Sequence, residues 1–421
     1  SSDIFEQYQY DIFNRLLQFT DPMGKVYATS YTEEATGSTY NEQIAQTFPP
    51  LAEDPDASYQ SMSLYDAAQK LISIQDKGDS AASTYAYSQR KDPNGDSQQL
   101  IITETLPPEN SGDTPYTRIS IYDALGRIVS FQDEAGNEYT TSYELEADSA
   151  SGTNNLKVKL LDPEGNFQQN TYDALGRLLE SSRGDESLQE SSSFVYDALD
   201  RLISVTSSGS TPLVNNYSYA YDSDFHGVIV SIDRPGETTG KTLQYYNGLS
   251  QLVQETDPNG ANRKWEYSPW GEISKYTDGK NQELNFSFDA AGRFYKITLP
   301  NGADYIQHSL DKNGNRTATS SNETETISRT FDAWNRMLSR TNAQSKAVNY
   351  SYYPSNLLKK LTYSDSSAVD YSYNGLNRLS QVSDWNAKVT AYTYWPTGQV
   401  KKSSFANGSI CNTSFNKVGE L

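Results

Sequence analysis

The sequence predicts an all-β fold: a long antiparallel meander of short hairpins. Three observations predict it, namely a fixed spacing of anchor residues, two turn signals in each interval, and aromatic side chains repeated two positions apart. The anchors are Tyr246, Tyr267, Phe288, Leu310, Phe331, Tyr352, Tyr373, Tyr394 and Phe415, and seven of their eight steps are 21 residues, the other being 22. A short fixed period means one small unit used many times, each resting mainly on its neighbours. Such arrays are walls, scaffolds or binding surfaces more often than single-pocket enzymes.

The clearest unit reads aromatic-Asp-x-x-Gly-Arg-apolar. It occurs at Tyr122-Asp123-Ala124-Leu125-Gly126-Arg127, at Tyr172-Asp173-Ala174-Leu175-Gly176-Arg177 and at Phe288-Asp289-Ala290-Ala291-Gly292-Arg293. Near matches start at Tyr10, Tyr196, Phe331 and Tyr373, and weaker ones at Tyr65 and Tyr221. The Asp can accept a hydrogen bond from the backbone two residues on. The fifth position is Gly, Asn or Asp, the residues that tolerate positive φ at a hairpin corner. A second turn signal, such as Asp21-Pro22-Met23-Gly24 or Asp257-Pro258-Asn259-Gly260, follows each anchor. The intervals that remain are of ordinary strand length.

Two residues before the anchors stand Trp265, Phe286, Tyr350, Tyr371 and Tyr392. Residues two apart share one face of a strand, so stacked units line these rings into ladders. A longer rhythm lies inside the short one. Tyr267, Tyr352 and Tyr394 are followed two residues later by Pro269, Pro354 and Pro396, whereas Phe288, Phe331 and Tyr373 have Ala290, Ala333 and Gly375 at that place, and Leu310, in the Pro series, breaks the pattern with Lys312. This predicts two alternating packing environments. The expected organisation is 1–120 degenerate repeats with long loops, notably over 28–60 and 77–116; 121–245 unevenly spaced repeats; and 246–421 the regular array.

Composition agrees with a sheet wetted on both faces. Of 421 residues only 35% are hydrophobic, while 32 are Tyr, a residue that brings apolar area with a hydroxyl tolerant of water. The net charge of −20 argues against nucleic acid or an anionic membrane as partner. It fits the solubility of a large surface, with an acidic face for a basic cargo as the alternative. The lone Cys411 excludes an intrachain disulfide. The abrupt start at Ser1 and the stop at Leu421 inside a repeat predict a segment of a longer polypeptide.

The Tyr-Asp-Ala-Leu-Gly-Arg copies at Tyr122 and Tyr172, and the Tyr394-Trp395-Pro396-Thr397-Gly398-Gln399 copy, closely resemble the YD repeat of RHS-repeat proteins. The resemblance covers most of 120–421 and extends more loosely over 1–120. It implies a β-strip that spirals into a hollow cocoon enclosing a C-terminal toxic domain, as in bacterial polymorphic toxins and the B and C components of insecticidal toxin complexes; teneurins carry a similar shell. It also implies partners in the rest of the same chain (further shell, core domain, cargo) and in a secretion or injection apparatus, with action outside the producing cell. Toxin-bearing members end their shell in an Asp-Pro-x-Gly-rich self-cleaving domain. The copies here, Asp92-Pro93-Asn94-Gly95 and Asp162-Pro163-Glu164-Gly165, sit within the array and read as turns.

Candidates for chemistry are few. His308 occupies a slot that Phe286 and Tyr350 fill elsewhere, and His226 sits in a turn. Cys411, on an expected strand, reads as a packing residue. Asp311-Lys312-Asn313-Gly314-Asn315 begins like a calcium loop, but Arg316 stands where its glycine belongs and Asn322 where its bidentate carboxylate belongs. The expectation is a non-enzymatic shell with no cofactor and no metal site. Its key residues are structural: Tyr122, Asp123, Gly126, Arg127, Tyr172, Asp173, Gly176, Arg177, Phe288, Asp289, Gly292 and Arg293. The functional alternative is a surface adhesion or glycan-binding module, and the fold alternative is a β-propeller, whose four-stranded blades share a 42-residue period.

Overall fold

The computed structural model describes residues 5–36, 39–51, 54, 59–79, 81–93, 95, 97–148, 152–185, 187–209, 211–237, 240–322 and 326–420. Ser1, Asn94 and Leu421, named above, lie outside them. The described residues form 35 β-strands and no helix. They divide into two units, Ser1–Glu138 with Gln307–Leu421, and Tyr139–Ile306.

In the Tyr139–Ile306 unit, strands pair antiparallel in chain order without a break, from Glu138–Asp148 to Phe294–Thr298. The other unit holds two such runs. One extends from Gln7–Tyr10 to Ile128–Gln132. The other extends from Arg316–Ser321 to Ile410–Asn412. A propeller would interrupt the ladder after every fourth strand. These uninterrupted meanders overturn that alternative.

The two faces of the sheet differ by the period-two rule. Trp265 faces Tyr276, Phe286 faces Ile297, Tyr350 faces Leu361 and Tyr371 faces Val382. The alternate positions pair Glu266 with Lys275, Ser287 with Lys296, Ser351 with Lys360 and Ser372 with Gln381. One face is tiled with rings and aliphatic chains, and the other is polar. Burial is shallow: the buried apolar residues are Ala45, Leu51, Ile121, Ile232 and Val369, and no large described side chain is fully buried. Cohesion is therefore spread over many cross-strand pairs, each contributing about 0.2–1 kcal/mol.

The stretches 28–60 and 77–116 hold more strand than a loop-rich reading anticipates. Strands Val26–Thr36 and Thr39–Phe48 span 11 and 10 residues, and Ser83–Lys91 and Gln98–Thr105 span 9 and 8. The Tyr, Thr and Ser of these segments suit a pleated, half-wet surface. Pro49, Pro50, Pro93, Pro107 and Pro108 fall beyond the strand ends, as suits residues without an N–H.

The hairpin corners share one geometry. In the turn after Tyr172, Gly176 N donates to Asp173 O at 3.0 Å and Asp173 N donates to Arg177 O at 3.0 Å. Strand register slips by one residue between Thr171 and Tyr172. This is a type I turn followed by a bulge residue in the left-handed region. That residue has φ 75° at Gly126, 81° at Gly176 and 74° at Gly292, and the same place is held by Asp200 (61°), Asn335 (62°) and Asn377 (59°). A Cβ built on Gly176 meets nothing within 4 Å, so only backbone strain opposes substitution. Gly176→Val is expected to lower stability by about 1–3 kcal/mol in denaturant unfolding, and Gly176→Asn to leave it nearly unchanged. Equal effects would contradict the left-handed corner.

Candidate functional site

The feature that distinguishes this sheet is its ladder of clamped turns. At Asp173, Oδ1 accepts from Leu175 N and Arg177 N, both at 2.9 Å, while Oδ2 accepts from Arg177 Nε at 2.7 Å. Asp123 does the same with Leu125 and Arg127 at 2.9, 2.9 and 2.7 Å. Asp289 binds Ala291 and Arg293 at 2.9, 2.9 and 2.8 Å. One carboxylate thus fixes the turn backbone and aims the guanidinium.

The guanidinium then reaches the next repeat. The Arg177 Cζ lies 5.3 Å from the centre of the Tyr196 ring, Arg201 lies 4.5 Å from Tyr219, and Arg336 lies 4.8 Å from Tyr352. Each of these tyrosines donates its hydroxyl back to a carbonyl just after the preceding turn: Tyr196 to Leu178 at 3.0 Å, Tyr219 to Leu202 at 2.7 Å, and Tyr352 to Met337 at 2.9 Å. Tyr31, Tyr87, Tyr267 and Tyr394 make the same bond to Leu16, Leu71, Leu252 and Leu379. Carboxylate, guanidinium, ring and carbonyl so join successive hairpins along one edge.

The alternation with Pro gains a physical content here. Arg336 Nη1 donates to Tyr353 O at 2.9 Å. Arg378 Nη1 donates to Trp395 O at 3.1 Å, and its Nη2 to Pro396 O at 2.7 Å. The Asp/Asn-to-Arg units grip, and the Pro-bearing turns offer the carbonyls that are gripped.

A second contact ties the two runs of the Ser1–Glu138/Gln307–Leu421 unit side by side. The turns at the second turn signal of each repeat (far turns) in the first run meet the Asp- or Asn-clamped turns that follow the anchors (near turns) in the second. Trp334 Nε1 donates to Pro49 O at 2.7 Å, and its ring lies 5.0 Å from Tyr59 and 5.9 Å from Phe48. The Lys77 ammonium sits 4.1 Å from the Phe48 ring and 4.6 Å from the Trp334 ring. Burial pushes its pKa down, with Asp76 pulling the other way. Gly375 N donates to Glu109 O at 2.7 Å, and Asn374 Nδ2 to Glu109 Oε1 at 2.6 Å. Asn313 Nδ2 donates to Asp21 Oδ2 at 2.7 Å, and Asn377 Nδ2 to Asp79 Oδ1 at 2.9 Å.

The other expected residues fall into quieter places. Tyr122 and Tyr172 end strands at the register slip, and the Phe288 ring packs 6.0 Å from Phe294. Half-buried His308 places Nδ1 3.1 Å from Thr319 Oγ1, and burial lowers its pKa, aided by Arg316 and Arg329. His226 is an exposed turn residue with φ 49°. Asp311 clamps its own turn through Asn315 N and Nδ2, at 2.8 and 2.9 Å. Cys411, on the three-residue strand Ile410–Asn412, is exposed rather than packed. Among the described residues, no group of three or more His, Cys, Asp or Glu is placed to hold a metal. Sequence reasoning missed Trp334 and Lys77, whose partners are far away in the chain, and Tyr219, which takes the ring position in place of Tyr221.

Residues 213–417, a little under half the chain, match the family described as Teneurin YD-shell. No curated protein matches the sequence. The structure is similar to a chain of the Photorhabdus luminescens Tc holotoxin pore with the TccC3-D651A mutation, with 12% identity, a TM-score of 0.60, and coverage of 90% of this chain and 22% of that one. It also aligns with the crystal structure of TcdB2-TccC3-Cdc42, with 12% identity, a TM-score of 0.44, and coverage of 94% of this chain and 31% of that one. The chain therefore spans under a third of either. Its fold is that of a YD-repeat shell, and its repeats are those of the RHS type.

The clamp and the rings set a pH window. Burial works to raise the pKa of Asp123, Asp173 and Asp289, but hydrogen bonds from the following Arg prevail and hold each below the ordinary aspartate value. Burial raises the pKa of Tyr219, Tyr267, Tyr352 and Tyr394. A depressed carboxyl lends stability above its unfolded pKa of 3.8 and loses it as pH falls through the folded value. A raised phenol lends stability below 10.0 and loses it as pH rises through the folded value. Melting temperature should thus fall as pH drops through the carboxylate range and as it rises through the phenol range, with between them the single-site loss below 6.5 that the depressed His308 contributes; a decline on raising pH through neutrality would contradict the assignment. Trp334→Ala should cost about 2–4 kcal/mol and expose Phe48 and Tyr59, read as faster hydrogen exchange at 46–49. Unchanged exchange there would show that the seam does not depend on Trp334.

Proposed function

We propose that the chain is wall: a non-catalytic part of a shell that encloses a polypeptide cargo, a toxin or effector domain, and holds it inactive until delivery outside the producing cell. The observation that carries this reading is the two-way bonding of the sheet. The turn ladder joins hairpin to hairpin along the strip, and the seam joins strip to strip across it. A wall needs both, whereas an array that only displays a binding surface needs the first alone. The likeness in fold to a chain of the Tc holotoxin pore supports the same reading.

On this reading Tyr122, Asp123, Gly126, Arg127 and their counterparts at 172–177 and 288–293 act mechanically, keeping the wall stiff. Other shell segments and the cargo would be its partners, with a delivery apparatus acting on the assembled particle. The rings that a glycan-binding sheet would offer lie half-buried in cross-strand contacts, which favours the wall over an adhesion module.

Protection from protease tests the proposal. In the longer polypeptide of which the chain would be a part, a marginally stable reporter domain joined in the cargo's place should be shielded from a protease that destroys the same reporter alone. Adding Trp334→Ala should restore cleavage. Cleavage of the joined reporter as fast as the free one, with the repeat array itself intact, would sink the enclosure reading.

A further inference from the structure

The seam uses one position of the near turn as a knob. Trp334 and Leu376 each stand two residues after the clamp residue, Asp332 and Asn374, and both are half-buried; Trp334 packs against a far turn of the neighbouring run, and Leu376 follows Gly375, whose N–H bonds to Glu109 of another. In the Tyr139–Ile306 unit the turns after Tyr221 and Phe288 place Asp224 and Ala291 at the same position, while Leu175, Leu199, Leu249 and Trp270 stand there in other turns and are 72, 72, 80 and 80% exposed. Each is held firmly. Its N–H donates to the clamp side chain: Leu175 to Asp173 at 2.9 Å, Leu199 to Asp197 at 2.9 Å, Leu249 to Asn247 at 3.0 Å and Trp270 to Ser268 at 3.2 Å. Turn chemistry favours Asp, Asn, Ser or Gly at hairpin tips, so it supplies no reason for Leu or Trp there. Nor is this edge strongly charged, despite the net −20, because Asp173 and Asp197 are each matched by their own Arg.

We propose that this row of tips is an interaction surface for a second copy of the chain, which docks the far-turn edge carrying Tyr363, Trp385 and Phe405. The seam is the template: there the knobs meet far turns furnished with rings, Phe48 and Tyr59, and with open carbonyls, Pro49 and Glu109. The far turns of the 327–404 run repeat that furnishing. Trp385 is 59% exposed, stands at right angles to Tyr363 with ring centres 6.3 Å apart, and is followed one hairpin later by Phe405. Successive knobs and successive far turns each stand two strands, about 9.6 Å, apart, so the pairs Leu175/Leu199 and Leu249/Trp270 match the spacing of neighbouring far turns. The contact is heterologous, one kind of edge on another, and each copy keeps the complementary edge free.

Sedimentation velocity of the full chain over a wide concentration range tests this. The expected result is mass rising with concentration. Both a tip variant (L175S, L199S, L249S and W270S together) and the single variant W385S should weaken association more than about tenfold. All the substituted side chains are exposed, so unchanged melting curves are expected for both. Mixed together, the two variants should again form a dimer and stop there, because each retains one intact edge. A single-chain mass at every concentration overturns the proposal. So does association untouched by either variant, or a mixture no heavier than its parts.

Discussion

A sheet one layer thick has no core, so something other than depth must stop it from flexing and fraying. In this chain the task falls to one side-chain acceptor at the hairpin corner, most often an Asp carboxylate, with Asn247, Ser268 and Asn374 in its place elsewhere. The turn Asp accepts two backbone N–H groups and one guanidinium N–H, and each bond serves a different scale. The backbone bonds hold the corner. The guanidinium, once aimed, lies on the ring of the next repeat and in the Pro-bearing units holds that turn's carbonyls. The ring's hydroxyl returns to the carbonyl beyond the first corner. Remove the carboxylate and the Arg loses its direction; with the Arg loose, neighbouring turns are joined only by their strand ladders.

The same economy explains the composition. Tyr is abundant because the position needs a ring for the guanidinium and a hydroxyl for the carbonyl together, and only Tyr brings both. Val is sparse, and Leu no commoner than Tyr, because there is little interior to fill. Sideways cohesion needs a different device, and the chain provides it at turn tips. Trp334 enters a socket of two rings and a lysine, while Gly375 offers a backbone N–H where its own hydrogen atom leaves room for Pro108 and Glu109.

Much of this was legible in the sequence because it is local. The 21-residue spacing gave the hairpin, the Asp gave the turn, and Gly126, Asn335 and Asp200 marked the left-handed corner, each decided within a few residues of chain. The ring ladders followed from period two. What was hidden is what depends on distance. The bond from Tyr219 to Leu202 crosses a whole hairpin, and no local pattern prefers Tyr219 to Tyr221 for it. Trp334 lies 285 residues from Pro49, and only the lateral packing of two runs reveals the pair. The long strands of 28–60 were masked by flanking prolines, which turned out to end strands rather than to open loops. Cys411 was misread because a strand position was equated with a covered one.

The account rests on the turn clamp acting beyond its own hairpin, and native-state hydrogen exchange on Asp332→Ala tests that most directly. The account predicts faster exchange at 332–336 and also at 353–357, the next turn, where Arg336 holds the carbonyl of Tyr353. Loosening confined to 332–336, with 353–357 exchanging as in the parent chain, would contradict it.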